Sequence, residues 1–106
     1  MSILFGQGDG TFKPAVTNFA GNGPGSVAVA DLDGTGNLDL VFSNYTGDGV
    51  TVLLNNGDGS FGFFGDFATG TSPVYVTTGD FNHDGAPDIA VVNADSNTVT
   101  VRLNSR

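Results

Sequence analysis

The stretch Asp80-Phe-Asn-His-Asp-Gly-Ala-Pro-Asp88 carries oxygen-bearing side chains at its first, third, fifth and ninth positions and a glycine at its sixth. These side chains belong to Asp80, Asn82, Asp84 and Asp88, and Ala86 offers a backbone carbonyl at the seventh position. A tight loop with this spacing directs its oxygens at one hard cation, as Ca²⁺ requires. Mg²⁺ demands a stricter octahedron, and zinc or copper would favour His or Cys ligands. The sequence therefore predicts a calcium site.

The segments on both sides of this loop predict β-strands. Residues 74–78 before it and residues 89–92 after it are rich in β-branched and aromatic side chains. An EF-hand loop lies between helices and has a bidentate Glu at position twelve, where this chain has Val91. We therefore expect the loop to join two strands, with Asp88 completing the ligand set.

A second loop of the same kind lies 49 residues earlier, in Asp31-Leu-Asp-Gly-Thr-Gly-Asn-Leu-Asp39. The same offset relates residues 57–61 to residues 8–12, and residues 101–103 to residues 52–54. A fixed period near fifty residues is typical of repeat architectures in which each repeat is one supersecondary unit. The predicted ligands of this first loop are Asp31, Asp33, Thr35, the carbonyl of Asn37, and Asp39.

The composition favours strands and turns and excludes several classes of partner. All eleven acidic residues are aspartate, and seventeen residues are glycine, which indicates short strands joined by tight turns. The net charge is −8 with only three Lys and Arg residues, so we expect no binding to nucleic acid. The chain has no cysteine for thiol chemistry and no apolar stretch long enough to span a membrane. We therefore expect no membrane partner.

The repeats predict an all-β chain that forms part of a β-propeller with four-stranded blades. We expect residues 21–69 to form the first blade and residues 70–106 a second blade that lacks its fourth strand. Residues 1–20 should supply strands that complete a neighbouring blade. Residues 26–30 consist of small and β-branched side chains and should form a strand buried on both faces.

Two blades alone would expose an apolar face and a strand edge, whereas propeller rings typically hold about four to eight blades. We therefore expect several copies to close one ring as a homo-oligomer, with a trimer or tetramer favoured. Residues 1–7 and residues 97–106 are both predicted to occupy the third-strand position of the completed blade. Only one of the two segments can do so.

Several motifs resemble known propeller repeats. Phe61-Gly62 and Gly85-Ala-Pro87 resemble the FG-GAP repeats of integrin α-chain propellers, and Val27-Ala-Val-Ala-Asp-Leu-Asp-Gly34 is similar to bacterial VCBS repeats. The resemblance covers nearly the whole chain. It implies a β-propeller in which calcium joins the first and second strands of a blade, with the two ligand sets named above. Thr35 departs from the family pattern, which has Asp or Asn at that position.

These observations favour a structural calcium-binding module that assembles into a closed ring. The alternative is a carbohydrate-binding propeller, which resemblance to related lectins would imply. Its candidate sugar-contacting residues are aromatic, namely Tyr45, Tyr75, Phe61, Phe63, Phe64 and Phe67. Glycans or another protein are therefore further possible partners.

Enzymatic activity is not expected. The one histidine, His83, occupies the fourth loop position, which the ligand spacing leaves unused, and no nucleophile motif accompanies it. A loop without the closing Glu should bind calcium weakly, which favours the extracellular space or the cell surface. Residues 1–7 lack the features of a signal peptide, so we expect a mature or an engineered fragment.

Overall fold

The computed structural model describes residues 1–17 and 21–104, and all regular structure in this part of the chain is antiparallel β-strand. The strands are β1 (Ser2–Ile3), β2 (Val16–Thr17), β3 (Pro24–Ala30), β4 (Asp39–Asn44), β5 (Gly49–Asn55), β6 (Phe61–Ala68), β7 (Pro73–Gly79), β8 (Asp88–Asn93) and β9 (Thr98–Arg102). The order is β1-β2 in a hairpin, β3-β4-β5-β6 in a first sheet and β7-β8-β9 in a second sheet. No helix within these residues is long and apolar enough to cross a membrane.

The first and second sheets pack face to face around an aliphatic core. Val41 and Val50 of the first sheet meet Val76 and Val91 of the second sheet, and each is at most 1% exposed. Burying a side chain of this size contributes about 1.5–3 kcal/mol, so this contact holds the two sheets together. The arrangement confirms the predicted all-β class and is that of a β-propeller-like fragment.

The N-terminal hairpin, β1 and β2, packs on the opposite face of the first sheet. Met1 and Ile3 contact a cluster formed by Leu40, Phe42 and Leu53. The register of the hairpin repeats that of β5 and β6 at the 49-residue offset. The hairpin pairs Ser2 with Thr17 and Ile3 with Val16. The equivalent pairs of β5 and β6 are Thr51 with Asp66 and Val52 with Gly65.

Residues 1–17 therefore have the conformation of the third and fourth strands of a preceding repeat. A strand over residues 11–20 was expected with an interruption at Pro14, and β2 begins only after that proline, at Val16. Residues 18–20 of this expected strand lie outside the described residues. Completion of a neighbouring blade by residues 1–20, like the division into blades at residues 21–69 and 70–106, stays a prediction.

The prediction that residues 26–30 are buried on both faces is wrong for the single chain. Val27 and Val29 are 54% and 52% exposed, whereas Ala28 and Ala30 pack against the core between the sheets. Strand β4 and the first five residues of β5 are buried on both faces instead, because the hairpin covers one side of the first sheet and the second sheet covers the other. The hairpin does not extend over the outward face of β3.

Candidate metal centre

Two loops of the same backbone conformation join the first two strands of each sheet. The first loop, residues 31–39, connects β3 to β4, and the second loop, residues 80–88, connects β7 to β8. Position four is left-handed in both, with φ of 77° at Gly34 and 59° at His83. Position six is a left-handed glycine in both, with φ of 90° and 86°. This conformation explains the glycine at position six, because an added Cβ would strain the backbone there.

The first aspartate of each loop accepts hydrogen bonds from the backbone of the turn. Asp31 accepts from the N–H groups of residues 35 and 36 at 3.1 and 2.8 Å, and Asp80 accepts from those of residues 84 and 85 at 3.1 and 2.8 Å. The bond from the Gly85 N–H is the main cause that lowers the pKa of Asp80 below its ordinary value. Asp80 is therefore ionised at neutral pH, as a cation ligand must be.

The ninth-position aspartates are buried and connect each loop to a more distant strand. Asp39 accepts from the N–H of Leu32 at 2.8 Å and from that of Asn55, in β5, at 2.9 Å. Asp88 accepts from the N–H of Phe81 at 3.0 Å and from that of Asn104, just after β9, at 2.8 Å. Asp39 thus joins the start of its loop to the end of the third strand of its sheet, and Asp88 joins the start of its loop to the segment just after the third strand.

In both loops three carboxylates converge. One oxygen from each lies within 4.8 Å of the others, which brings together Asp31, Asp33 and Asp39 in the first loop and Asp80, Asp84 and Asp88 in the second. Like charges at this separation repel unless a cation lies between them. A carboxylate has about four lone-pair sites, so the backbone bonds still leave acceptor capacity for an ion. The donor set is all oxygen and fits Ca²⁺.

The remaining predicted ligands lie in the same two loops. Thr35 donates its hydroxyl to Asp33 at 2.8 Å, which is the main cause that lowers the pKa of Asp33. The hydroxyl oxygen of Thr35 keeps lone pairs that an ion can use. Asn37 is half-buried, Asn82 is exposed, and Ala86 is buried. Coordination by these four residues stays a prediction.

Two asparagines that the sequence reasoning missed hold the loops in place. The Asn55 side chain donates to the carbonyl of Leu38 at 3.0 Å. The Asn104 side chain donates to the carbonyl of Pro87 at 3.1 Å and to that of Leu32 at 2.7 Å, and so links the second loop to the first. The 49-residue offset that relates residues 52–54 to residues 101–103 extends by one residue to this pair, and this extension could have identified them.

The aromatic residues expected for sugar binding serve packing at several positions. Phe61 packs on the cluster under the N-terminal hairpin. Phe67 stacks on Phe64 with centroids 6.1 Å apart, and the Arg102 guanidinium lies 5.2 Å from the Phe67 ring. Tyr45 and Tyr75 are exposed. The carbohydrate-binding alternative stays a prediction.

An antiparallel repeat with an aspartate loop between its first two strands defines a β-propeller-like repeat protein. The family model described as FG-GAP-like repeat matches residues 1–42 and 31–91. The chain belongs to this family, which confirms the predicted resemblance. The curated proteins and the solved structures gave no match.

Proposed function

We propose that this chain is a structural calcium-binding β-propeller module that self-assembles into a closed homo-oligomeric ring. Each loop holds one Ca²⁺, which joins the first and second strands of its sheet. The observation that carries the proposal is the convergence of three carboxylates in both loops. The equal hydrogen-bond distances around Asp31 and Asp80 support equivalent sites, although Thr35 replaces an acidic residue in the first loop.

Calcium in this account is structural and not catalytic. An ion at about a hundredfold excess over its dissociation constant stabilises the fold by ~2.7 kcal/mol per site. Loops of weak affinity fill where calcium is abundant, which supports an extracellular or cell-surface location. Repeats of this family are typical of extracellular proteins. We propose no enzymatic activity, because the site offers oxygen ligands to an ion without a positioned nucleophile and base.

Self-assembly is supported by the apolar surface of the single chain. Val99 and Val101 of β9 are 64% and 51% exposed, on the face of the second sheet that points away from the first. Exposed apolar patches of this kind mark interaction surfaces. A ring of repeats would cover this face and leave only short strand edges in water.

Thermal unfolding with calcium and with a chelator tests the calcium sites. We expect saturating calcium to raise the melting temperature by about ten degrees or more. Asp80→Asn should lose part of this increase, because it removes a negative ligand from the second loop. Asp95→Asn, in the exposed turn before β9, is the matched control and should keep the full increase. Equal melting temperatures with and without calcium would contradict the proposal.

Self-assembly is tested by the absolute mass in solution, measured by light scattering with calcium and then with a chelator. We expect a particle of several chains in calcium, with three or four chains favoured, and a smaller particle after chelation. A folded single chain in both conditions would refute the ring. If that single chain still bound calcium, the proposed metal sites would be supported and only the proposed assembly would be refuted.

A further inference from the structure

The second sheet has an apolar face that the first sheet does not cover. Neighbouring residues of a strand point to opposite faces, so burial of Val91 against the first sheet directs Val92 outward. Val99 pairs with Val92 and lies on the same outward face. We call this surface, formed by Tyr75, Val92, Val99, Val101 and Leu103, the open face.

The 49-residue repeat identifies what covers the equivalent surface within one chain. Val99 corresponds to Val50, which is fully buried because the second sheet packs on it. The second sheet presents Val76 to that contact, and the equivalent of Val76 is Val27 on the outward face of the first sheet. The outward face of the first sheet is therefore equivalent, at the 49-residue offset, to the face of the second sheet that covers Val50. A second copy can cover the open face in the same way.

A cavity between the two sheets gives independent support. Its volume is about 530 Å³, and its lining includes Val52, Ile89, Arg102 and Asn104. The residues 49 positions before the first three are Ile3, Leu40 and Leu53, and these belong to the cluster on which Phe61 packs. The cavity therefore corresponds, one repeat later in the chain, to the space that the Phe61 side chain occupies. A phenylalanine on a fourth strand beside β9 would fill it.

Phe12 of the N-terminal hairpin is the equivalent phenylalanine. Phe12 forms a β-bridge with Gly6, and the equivalent residues 49 positions later, Phe61 and Asn55, are also paired. The Phe12 side chain is 60% exposed in the single chain. When β2 of a second copy lies beside β9 in this register, the ring of Phe12 enters the cavity. The intermolecular pairs are then Thr17 with Thr100, Val16 with Val101 and Phe12 with Asn104.

The N-terminal hairpin must open for this pairing to form. Ile3 of β1 and Val101 of β9 both correspond to Val52, so β1 and β9 compete for the same side of β2. Only two register pairs hold β1 on β2, whereas five register pairs with β8 hold β9 in the second sheet. The exchange therefore releases β1 and leaves β9 in place.

We propose that copies of this chain join head to tail by strand exchange, in which β2 leaves β1 and pairs with β9 of a neighbouring copy. Phe12 of one copy then fills the cavity of the next, and the outward face of the first sheet covers the neighbour's open face. The contact is heterologous, so its repetition gives a ring when the rotation per copy closes and an open filament when it does not. This mechanism rests on the proposed self-assembly and specifies its interface.

A reversible disulfide tests the exchange in this chain. Ser2 and Thr17 are exposed and directly paired, and the chain has no cysteine of its own. Paired residues of antiparallel strands have Cα atoms about 4.5–5.5 Å apart, within the range of about 4.4–6.8 Å that a disulfide spans. In the double variant Ser2→Cys/Thr17→Cys, oxidation keeps β1 on β2.

Light scattering in calcium should give several chains for the reduced variant and one chain for the oxidised variant. A particle of several chains in both redox states would overturn the exchange and leave self-assembly intact. A single chain for both redox states and for the unmodified protein would overturn the exchange and the proposed self-assembly together.

Substitution of Phe12 tests the cavity. Phe12→Ala should raise the dissociation constant of the assembly by about ten- to a hundredfold, because burial of a phenylalanine stabilises the contact by that factor. The circular dichroism of the single chain should not change, since Phe12 is exposed there. Tyr45→Ala, an exposed aromatic residue in the turn after β4, is the control and should assemble normally. An unchanged dissociation constant in Phe12→Ala would overturn the placement of its ring.

Discussion

Replacing Asp88 by asparagine separates the two roles of the ninth-position carboxylate. Asp88 is fully buried and accepts from the N–H groups of Phe81 and Asn104 at 3.0 and 2.8 Å. An asparagine offers one oxygen, so one of these donors faces an amide NH₂ and loses its acceptor. A buried donor without a partner costs about 1–3 kcal/mol. We therefore expect Asp88→Asn to lower the free energy of unfolding by about 1–3 kcal/mol in chelator.

The assay is urea unfolding at equilibrium, in chelator and in saturating calcium. In calcium, the variant should also lose most of the ~2.7 kcal/mol that a site at a hundredfold excess of ion supplies. Asp95→Asn is the control, since Asp95 is exposed and its side chain lies 3.5 Å from the Tyr45 hydroxyl, and it should stay within about 0.5 kcal/mol of the unmodified protein. An Asp88→Asn protein within about 0.5 kcal/mol of the unmodified protein in chelator would refute the reasoning.

Three further predictions concern the loop backbone, acid stability and ligand charge. Gly85→Ala should destabilise the protein by about 1–2 kcal/mol, as measured by urea unfolding, because Gly85 has φ of 86° although an added Cβ meets no atom within 4 Å; unchanged stability would contradict it. The pKa values of Asp33 and Asp80 are lowered in the folded chain, so the unfolded chain takes up protons first as the pH falls. The contribution of these two groups to stability should thus be full above about pH 4 and decline below it, and a loss that begins above pH 6 in circular dichroism would contradict the assignment. Thr35→Asp adds a carboxylate and should raise the calcium affinity of the first loop about tenfold in calorimetry, whereas an unchanged or lower affinity would contradict ligation at position five.

The strands and loops could be predicted because their determinants are local. Runs rich in β-branched and aromatic residues place β7 and β8, and the intervening loop is identified by oxygen-bearing residues at fixed positions around Gly85. The 49-residue offset then locates the equivalent elements in the first sheet. The glycine at position six is left-handed in both loops. Local chemistry therefore predicts the repeat unit and its turns.

Burial could not be predicted in the same way, because it depends on which neighbour covers each face. Val27 and Val29 belong to a strand with the composition of a fully buried one, yet one of its faces is open. Sequence spacing also does not indicate that Asp39 accepts from the Asn55 N–H, sixteen residues away. The bond becomes apparent only when β5 lies beside β4.

The most direct test of the calcium sites is their stoichiometry, measured by titrating the calcium-free chain in a calorimeter. The carboxylate clusters around Asp31 and Asp80 predict two Ca²⁺ ions per chain. Asp31→Asn and Asp80→Asn should each weaken or remove one binding event and leave the other. Two bound ions that disappear in the double variant would support the account, and the absence of calcium binding at millimolar concentration would contradict it.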